Sequence, residues 1–288
     1  MTELQRDNFR CFHRLRVRWV EVDMQKIVFN AHYLMYFDTA MMDYWRALAL
    51  PYEASMAQLQ GDLYVKKASL EYHASAHLDD QLDVALQCSR VGTSSVTFCG
   101  GIFRGQECLV SGELIYVFAD PLSQTAKPVP QALRDVFSAF EAGHAMHDVS
   151  VGHWQTLGEG ARAVRHAVFV QEQQIPIQME QDSLDEAALH VLVRNRLGAP
   201  VATGRLLQPA PGVGQIGRLA VSRVLRGSRI GSAALQALVS AAASRGDREV
   251  MLHAQSSATG FYAAQGFAPR GQPFMEAGIA HQEMVRAL

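Results

Sequence analysis

The sequence predicts an α+β chain of two successive domains: an antiparallel sheet around a central helix, then a mixed α/β domain with helices packed on a sheet. Three observations lead there. Residues 31–48, AHYLMYFDTAMMDYWRAL, are apolar almost all round, and strand signals follow them at 63–73, 81–91, 95–103 and 108–118. Residues 121–130, PLSQTAKPVP, then break the pattern. From residue 147 onward strands and helices alternate in a different order, so the chain shows no internal repeat. The expected division is 1–143 and 144–288, and 288 residues suit two domains.

In the first half, residues 12–22 alternate as a strand and 23–26 form a turn. Asn30 is the expected N-cap of the central helix, which its composition marks as buried. Residues 51–61 read as a connection. Turns fall at Asp79-Asp80, at 92–95 and at 104–106, and Leu82, Val84, Leu86 and Cys88 alternate with polar residues. A helix at 131–142 closes the domain. His144, His147 and His153 follow as surface histidines of the joint rather than metal ligands.

In the second half a strand at 147–151 leads into a helix at 154–171, a polar turn region at 173–185 and strands at 188–194 and 201–208. Residues 216–243, IGRLAVSRVLRGSRIGSAALQALVSAAA, then read as a strand (216–221), a basic loop (223–231) and a helix starting near Ser232. Leu235, Leu238, Val239 and Ala242 share one face of that helix. A helix start has unpartnered N–H groups and partial positive charge, and here it follows Arg223, Arg226 and Arg229. That combination is an anion site, with phosphate the usual anion. There is no GxxxxGK[ST], and no GxGxxG follows the strand. A strand at 249–254, a short helix at 258–265 ended by Gly266, and a strand at 280–286 complete the chain.

Composition narrows the class. The chain is 49% hydrophobic and 19% charged, ordinary for a soluble protein. Its net charge of −2 argues against non-specific nucleic-acid binding. All 13 basic residues of 144–288 are arginine, which suits planar anion recognition. Cys11, Cys88, Cys99 and Cys108 form no CxxC pair, so reduced thiols and no metal are expected. No secretory leader and no membrane span are expected, and the expected location is the cytoplasm.

Residues 17–38, VRWVEVDMQKIVFNAHYLMYFD, resemble the start of hotdog-fold acyl-CoA thioesterases of the 4-hydroxybenzoyl-CoA thioesterase type, and the likeness spans about residues 10–140. The resemblance implies that Asp23 is the carboxylate acting on an acyl-CoA thioester. It implies that the backbone N–H near Asn30 holds the thioester oxygen, and that Tyr33 borders the substrate. It also implies a homodimer or higher homo-oligomer formed through the hotdog sheets. Lys26 departs from the family, which usually has glycine there. Glu21 reads as a solvated strand residue, and His32 and His73 as packed or surface histidines.

Residues 147–288 resemble GNAT acetyltransferases of the ElaA-like group through VFVQEQQIP, VATGRLL, IGRLAVS, RGSRIGS, FYAAQGF and FMEAGIAH, in that order. The resemblance implies that Leu219, Ala220 and Val221 offer backbone amides to the pantetheine arm and thioester of acetyl-CoA. Arg226, Gly227, Ser228, Arg229, Ile230, Gly231 and Ser232 would grip its pyrophosphate, and Tyr262 would protonate the departing thiolate. The acceptor is an amine. Glu172, Glu180, Asp182, Glu276 and His281 are the candidate bases, with Glu276 and His281 first as pocket residues. Arg229 stands where the family loop has its first glycine; a left-handed backbone there costs a non-glycine residue about 1–2 kcal/mol. The expected activity is therefore twofold, thioester hydrolysis and acetyl transfer to an amine. Lys26 and Arg229 leave two alternatives: an acetyltransferase on a dimerising hotdog scaffold, or an acyl-CoA sensor without turnover.

Overall fold

The structure, a computed structural model, describes residues 4–276 and 278–288. The chain divides into two compact units, Met1–Met146 and His147–Leu288.

In the first unit β1 (Cys11–Arg16) precedes a 3₁₀ turn (Trp19–Glu21), α1 (Asn30–Ala47) and α2 (Tyr52–Leu59). The strands β2 (Asp62–Tyr72), β3 (Gln81–Val91), β4 (Ser95–Arg104) and β5 (Glu107–Ala119) follow, then α3 (Gln131–Glu141). The five strands form an antiparallel sheet in the order β1-β3-β4-β5-β2. Helix α1 crosses it where Gly100 of β4 pairs with Gly112 of β5. Fully buried Phe37 fills that gap, and a Cβ on Gly100 would lie 2.3 Å from its ring. Two residues without side chains therefore let the helix approach the sheet.

Four expectations are corrected here. The first strand ends at Arg16, because Glu21 pulls the chain into a turn. Its carboxylate accepts from Arg18 N–H (2.7 Å), the Arg18 guanidinium and Tyr36 Oη–H (2.9 Å), so Glu21 is buried and not solvated. Residues 51–61 contain α2, closed by Gln60 in a left-handed conformation at φ 55°. Helix α1 buries one face only, with Tyr33, Tyr36, Phe37, Ala40, Met41, Tyr44 and Trp45 at i, i+3, i+4 spacing. Its other face leaves Leu34, Met35 and Met42 exposed.

In the second unit β6 (His147–His153) leads to α4 (Trp154–Arg165), a π-helical stretch (His166–Glu172) and α5 (Ile177–Glu180). Next come β7 (Leu189–Asn195), β8 (Pro200–Ala210), β9 (Val213–Val221), a 3₁₀ turn (Arg223–Leu225) and α6 (Ile230–Arg245). The unit ends with β10 (Glu249–Gln255), a 3₁₀ turn (Ser256–Ala258), α7 (Thr259–Ala263), β11 (Ala268–Glu276) and β12 (Ile279–Ala287). The sheet order is β11-β12-β10-β9-β8-β7-β6, antiparallel except for the parallel β9–β10 pair. Helices cover both faces. Leu192 of β7 meets Gly160 of α4, whereas Val191, its neighbour on the opposite face, shares the space at Gly204 with Leu238 of α6.

Strand β11 carries no alternation and two prolines, which an edge strand with a register shift between Arg270 and Phe274 tolerates. The predicted helix at 154–171 changes to π geometry after Arg165. Helix α6 starts two residues before the expected Ser232, because Arg229 takes φ 67° and serves as its N-cap.

Candidate functional site

The parallel pairing of β9 and β10 runs only from Val213↔Glu249 to Ile216↔Leu252. Beyond it β9 follows β8 to Val221, and β10 follows β12 to Gln255. The sheet thus opens as a wedge, and the facing backbone edges of 217–221 and 253–255 have no strand between them. A bulge lies on the wedge wall. Thr203 pairs with Ala220 and Arg205 with Gly217, so β9 carries one extra residue, and Arg218 there has φ 53°. The Arg218 guanidinium holds this strained turn by donating to the carbonyls of Met179 (3.1 Å) and Glu180 (3.2 Å).

A cavity of about 460 Å³ lies in the wedge. Leu219, Tyr262, Glu276 and His281 all line it, together with His253. Ala220, Val221 and residues 226–232 lie outside its lining. Tyr262 sits between the ring edges of Phe261 (5.0 Å) and Phe267 (6.0 Å), and burial pushes its hydroxyl up to about 12. Gly266 at φ 83° turns the chain so that Phe267 N–H reaches Tyr262 O at 3.1 Å.

The basic loop leads to the start of α6. Gly227 (φ 85°) and Arg229 (φ 67°) both take the left-handed conformation, and Ser228 Oγ donates to Leu225 O at 2.5 Å. Ile230, Gly231 and Ser232 form the first helical turn, so they belong to α6 and not to the loop. The N-cap makes no side-chain bond, and the first-turn amides have no acceptor within the helix. Arg226 is held by Glu172 through bonds of 2.6 and 2.7 Å.

Three of the candidate bases are tied into ion pairs. Glu172 is on Arg226, which holds its carboxyl below the ordinary range. Glu180 is buried on Arg165. Asp182 binds Arg205 at 2.5 and 2.9 Å and Arg218 at 3.1 Å. Asp185 completes this network with bonds to Arg165 and Arg205 of 2.8 Å each. Opposite them, His281 Nδ1–H donates to Ile279 O (2.9 Å), and Glu276 Oε2 meets His253 Nδ1 at 3.2 Å. Sequence reasoning missed His253. The available signal was β10 itself: Val250, Leu252 and Ala254 share its buried face, which puts His253 and Gln255 on the other.

In the first unit, Asp23 occupies a short hairpin closed by the Val22↔Val28 bridge. Its N–H donates to Ile27 O (3.0 Å), its carbonyl accepts Lys26 N–H (3.0 Å), and its Oδ1 accepts Gln25 N–H (2.7 Å). Lys26 has φ 64°, the conformation glycine would supply. The N-cap of α1 is Phe29, without a side-chain bond, so Asn30 is the first helical residue and not the cap. The Asn30 and Ala31 N–H groups therefore lack an intrahelical acceptor. Trp19, Val20, Met24 and Phe29 are exposed in this same region. Tyr33 is buried, its Oη accepts Ala76 N–H at 3.0 Å, and it packs edge-on to Tyr36 and Tyr72. That hydrogen bond ties α1 to the loop before β3. His73 Nε2 pairs with Ser111 Oγ at 2.8 Å.

The fold defines the class first: a hotdog unit, an antiparallel sheet with a central helix, followed by a wedge-split mixed sheet of the GNAT type. Residues 155–288 match the family described as acetyltransferase (GNAT) domain, and residues 25–110 match the thioesterase superfamily. The chain belongs to the GNAT acetyltransferases through its second unit and carries a thioesterase-superfamily domain in its first. The uncharacterized N-acetyltransferase YjcF of Bacillus subtilis is 34% identical over 124 residues, 43% of this chain and 87% of that protein. The acyl-CoA thioester hydrolase YbgC of Escherichia coli O157:H7 is 26% identical over 120 residues, 41% of this chain and 89% of that protein. The crystal structure of Escherichia coli ElaA aligns at 29% identity and a TM-score of 0.45, covering 49% of this chain and 99% of that one.

Proposed function

We propose that the chain is a bifunctional acyl-CoA enzyme. Residues 1–143 hydrolyse a thioester, and residues 144–288 transfer an acetyl group from acetyl-CoA to an amine. The observation that carries the reading is the split between β9 and β10, with Tyr262 on the cavity inside it and the open start of α6 beyond it. In the second unit the edge of β9 at Leu219, Ala220 and Val221 takes the pantetheine arm and thioester. The amides and arginines from Arg226 to Ser232 take the pyrophosphate. Tyr262 supplies a proton to the thiolate as the C–S bond breaks. No step requires a metal.

In the first unit Asp23 attacks the thioester or activates water against it. The orphan N–H groups at Asn30 and Ala31 stabilise the oxyanion, where one such donor is worth about 10²–10³ in rate. Retention of left-handed backbone at Lys26 and Arg229 favours two working sites over a scaffold or a sensor, since each residue keeps the turn a glycine would make. A homodimer through the hotdog unit covers the exposed Leu34, Met35 and Met42 of α1 and the outer edge of β2, which ends the sheet beside β5. A cytoplasmic location agrees with four free cysteines. No helix among the described residues is long and apolar enough to cross a membrane.

The test is free-thiol release from a panel of acyl-CoAs, without and with amines. Amine-independent release should vanish in Asp23→Asn, and amine-dependent release should fall in Tyr262→Phe. Binding of acyl-CoA with no release from any panel member would establish a sensor instead.

A further inference from the structure

Once Glu172, Glu180 and Asp182 are ion-paired, the acetyltransferase reading lacks a group to take the proton from the acceptor ammonium. An amine near pH 7 is mostly protonated and cannot attack a carbonyl until it loses that proton. The cavity lining offers three remaining groups: Glu276, His281 and His253.

Their geometry separates them. The Glu276 carboxylate is engaged with the His253 ring. His281 is buried, and its ring lies parallel to Phe274 at 6.1 Å. His253 has a side chain 33% exposed, with the ring held edge-on to Phe274 at 4.9 Å and Nδ1 against Glu276 at 3.2 Å. A carboxylate only accepts, so Nδ1 presents its N–H to Glu276, and in the neutral ring Nε2 carries the lone pair. Phe274 and Glu276 together fix two directions of the ring, which is the arrangement a general base needs. Glu283, the register partner of His253 on β12, is engaged by Arg270 and does not compete for the ring.

We infer that His253 is the general base of acetyl transfer and that Glu276 is its positioning residue. The assignment rests on the acetyltransferase reading above. Nε2 of His253 removes one proton from the acceptor ammonium. The amine nitrogen then bonds to the thioester carbonyl carbon and the C–S bond breaks. The nitrogen's second proton passes to water, the thiolate takes one from Tyr262, and Tyr262 regains one from water. One proton passes from His253 to water, so the sum is an ammonium and acetyl-CoA giving an amide, CoA thiol and one proton.

The experiment uses the full chain with acetyl-CoA and the amines the wild type acetylates. His253→Gln should lower kcat about 10²–10⁴-fold while the Kd for acetyl-CoA stays within twofold. Its residual rate should rise about tenfold per pH unit, following the free-amine fraction, where the wild-type rate is flatter. Glu276→Gln should lower kcat about tenfold with little change in the KM for acetyl-CoA, and the double variant should be no slower than His253→Gln alone, as for groups acting as one unit. His281→Gln compares the second ring of the same pocket and should lower kcat less than His253→Gln. A His253→Gln enzyme within threefold of wild type, or a loss carried by His281→Gln instead, overturns the assignment. A wild type that acetylates no amine overturns the acetyltransferase reading itself, and the base with it.

Discussion

Arg226 and Glu172 form a bidentate ion pair at the mouth of the loop before α6, with N–O distances of 2.6 and 2.7 Å. Glu172 ends the π-helical stretch that leads into the segment beneath the cavity. A pyrophosphate approaching α6 therefore competes with a carboxylate for the same guanidinium. Both side chains are partly exposed, so the pair is worth at most about 1 kcal/mol.

Glu172→Gln should therefore tighten CoA binding about threefold at low salt, with the gain shrinking toward 0.5 M salt as screening removes the competition. The Arg226 hydrogen bonds hold the Glu172 carboxyl below its ordinary value, so it is charged at pH 5 as at pH 8. The gain should be the same at pH 5 and pH 8. Titration calorimetry with CoA measures it; weaker binding in the variant would mean that Glu172 aligns Arg226 for phosphate.

Strand periodicity made the hotdog sheet legible, since β3 matches the expected 81–91 and each of β2, β4 and β5 lies within a residue of expectation at either end. Departures occur where a tertiary contact overrides local pattern. Glu21 reads as a surface residue until Arg18 and Tyr36 surround it, and β11 carries no strand alternation because β12 supplies its order. At the site, Tyr262 and the α6 start were legible from sequence order. The Glu276–His253 contact was not, because 23 positions separate the two and only the β10–β12–β11 pairing brings them together. The non-glycine residues Lys26 and Arg229 were visible as departures, but that both keep left-handed backbone was visible only in the structure.

Tyr262 should act as a proton donor across the whole working range. Burial raises its hydroxyl to about 12, so it is protonated at every pH below about 11. The pH profile of kcat for amine acetylation should show no falling limb from Tyr262 between pH 6 and 10. Tyr262→Phe should lower kcat about 10²–10⁴-fold with the KM for acetyl-CoA within threefold. A falling limb below pH 10 that disappears in Tyr262→Phe would contradict this role.

Gly100→Ala should destabilise the first unit selectively. The new Cβ would meet the Phe37 ring at 2.3 Å and the Ala85 carbonyl at 3.0 Å, and Phe37 has no free side to move toward in a fully buried site. Overpacking of this kind costs about 1–3 kcal/mol. Urea unfolding should show the first unit's transition at a lower midpoint and the amine-dependent activity of the second unit unchanged. Equal midpoints would show that α1 can lift away from β4 without loss.

Arg165→Met should destabilise the second unit more than any surface change. Arg165 is 1% exposed and is the shared cation of buried Glu180 and Asp185. Removing one partner of a buried pair typically costs about 3–5 kcal/mol, because the remaining charge is uncompensated. For Asp185, burial raises the carboxyl, but hydrogen bonds from Arg165 and Arg205 outweigh it and the net direction is down. A depressed carboxyl contributes stability that is present above its unfolded value, about 3.9, and is lost as pH falls through the folded value. The wild type should accordingly keep this contribution at pH 5. In Arg165→Met the sign changes, since neutral carboxyls need no cation: the deficit against wild type should be largest near pH 7 and shrink as pH falls toward 4. Urea midpoints of the full chain at pH 7, 5 and 4 test this, and a deficit independent of pH would mean that Arg165 contributes through its packing on Trp154, whose ring lies 5.5 Å from the guanidinium.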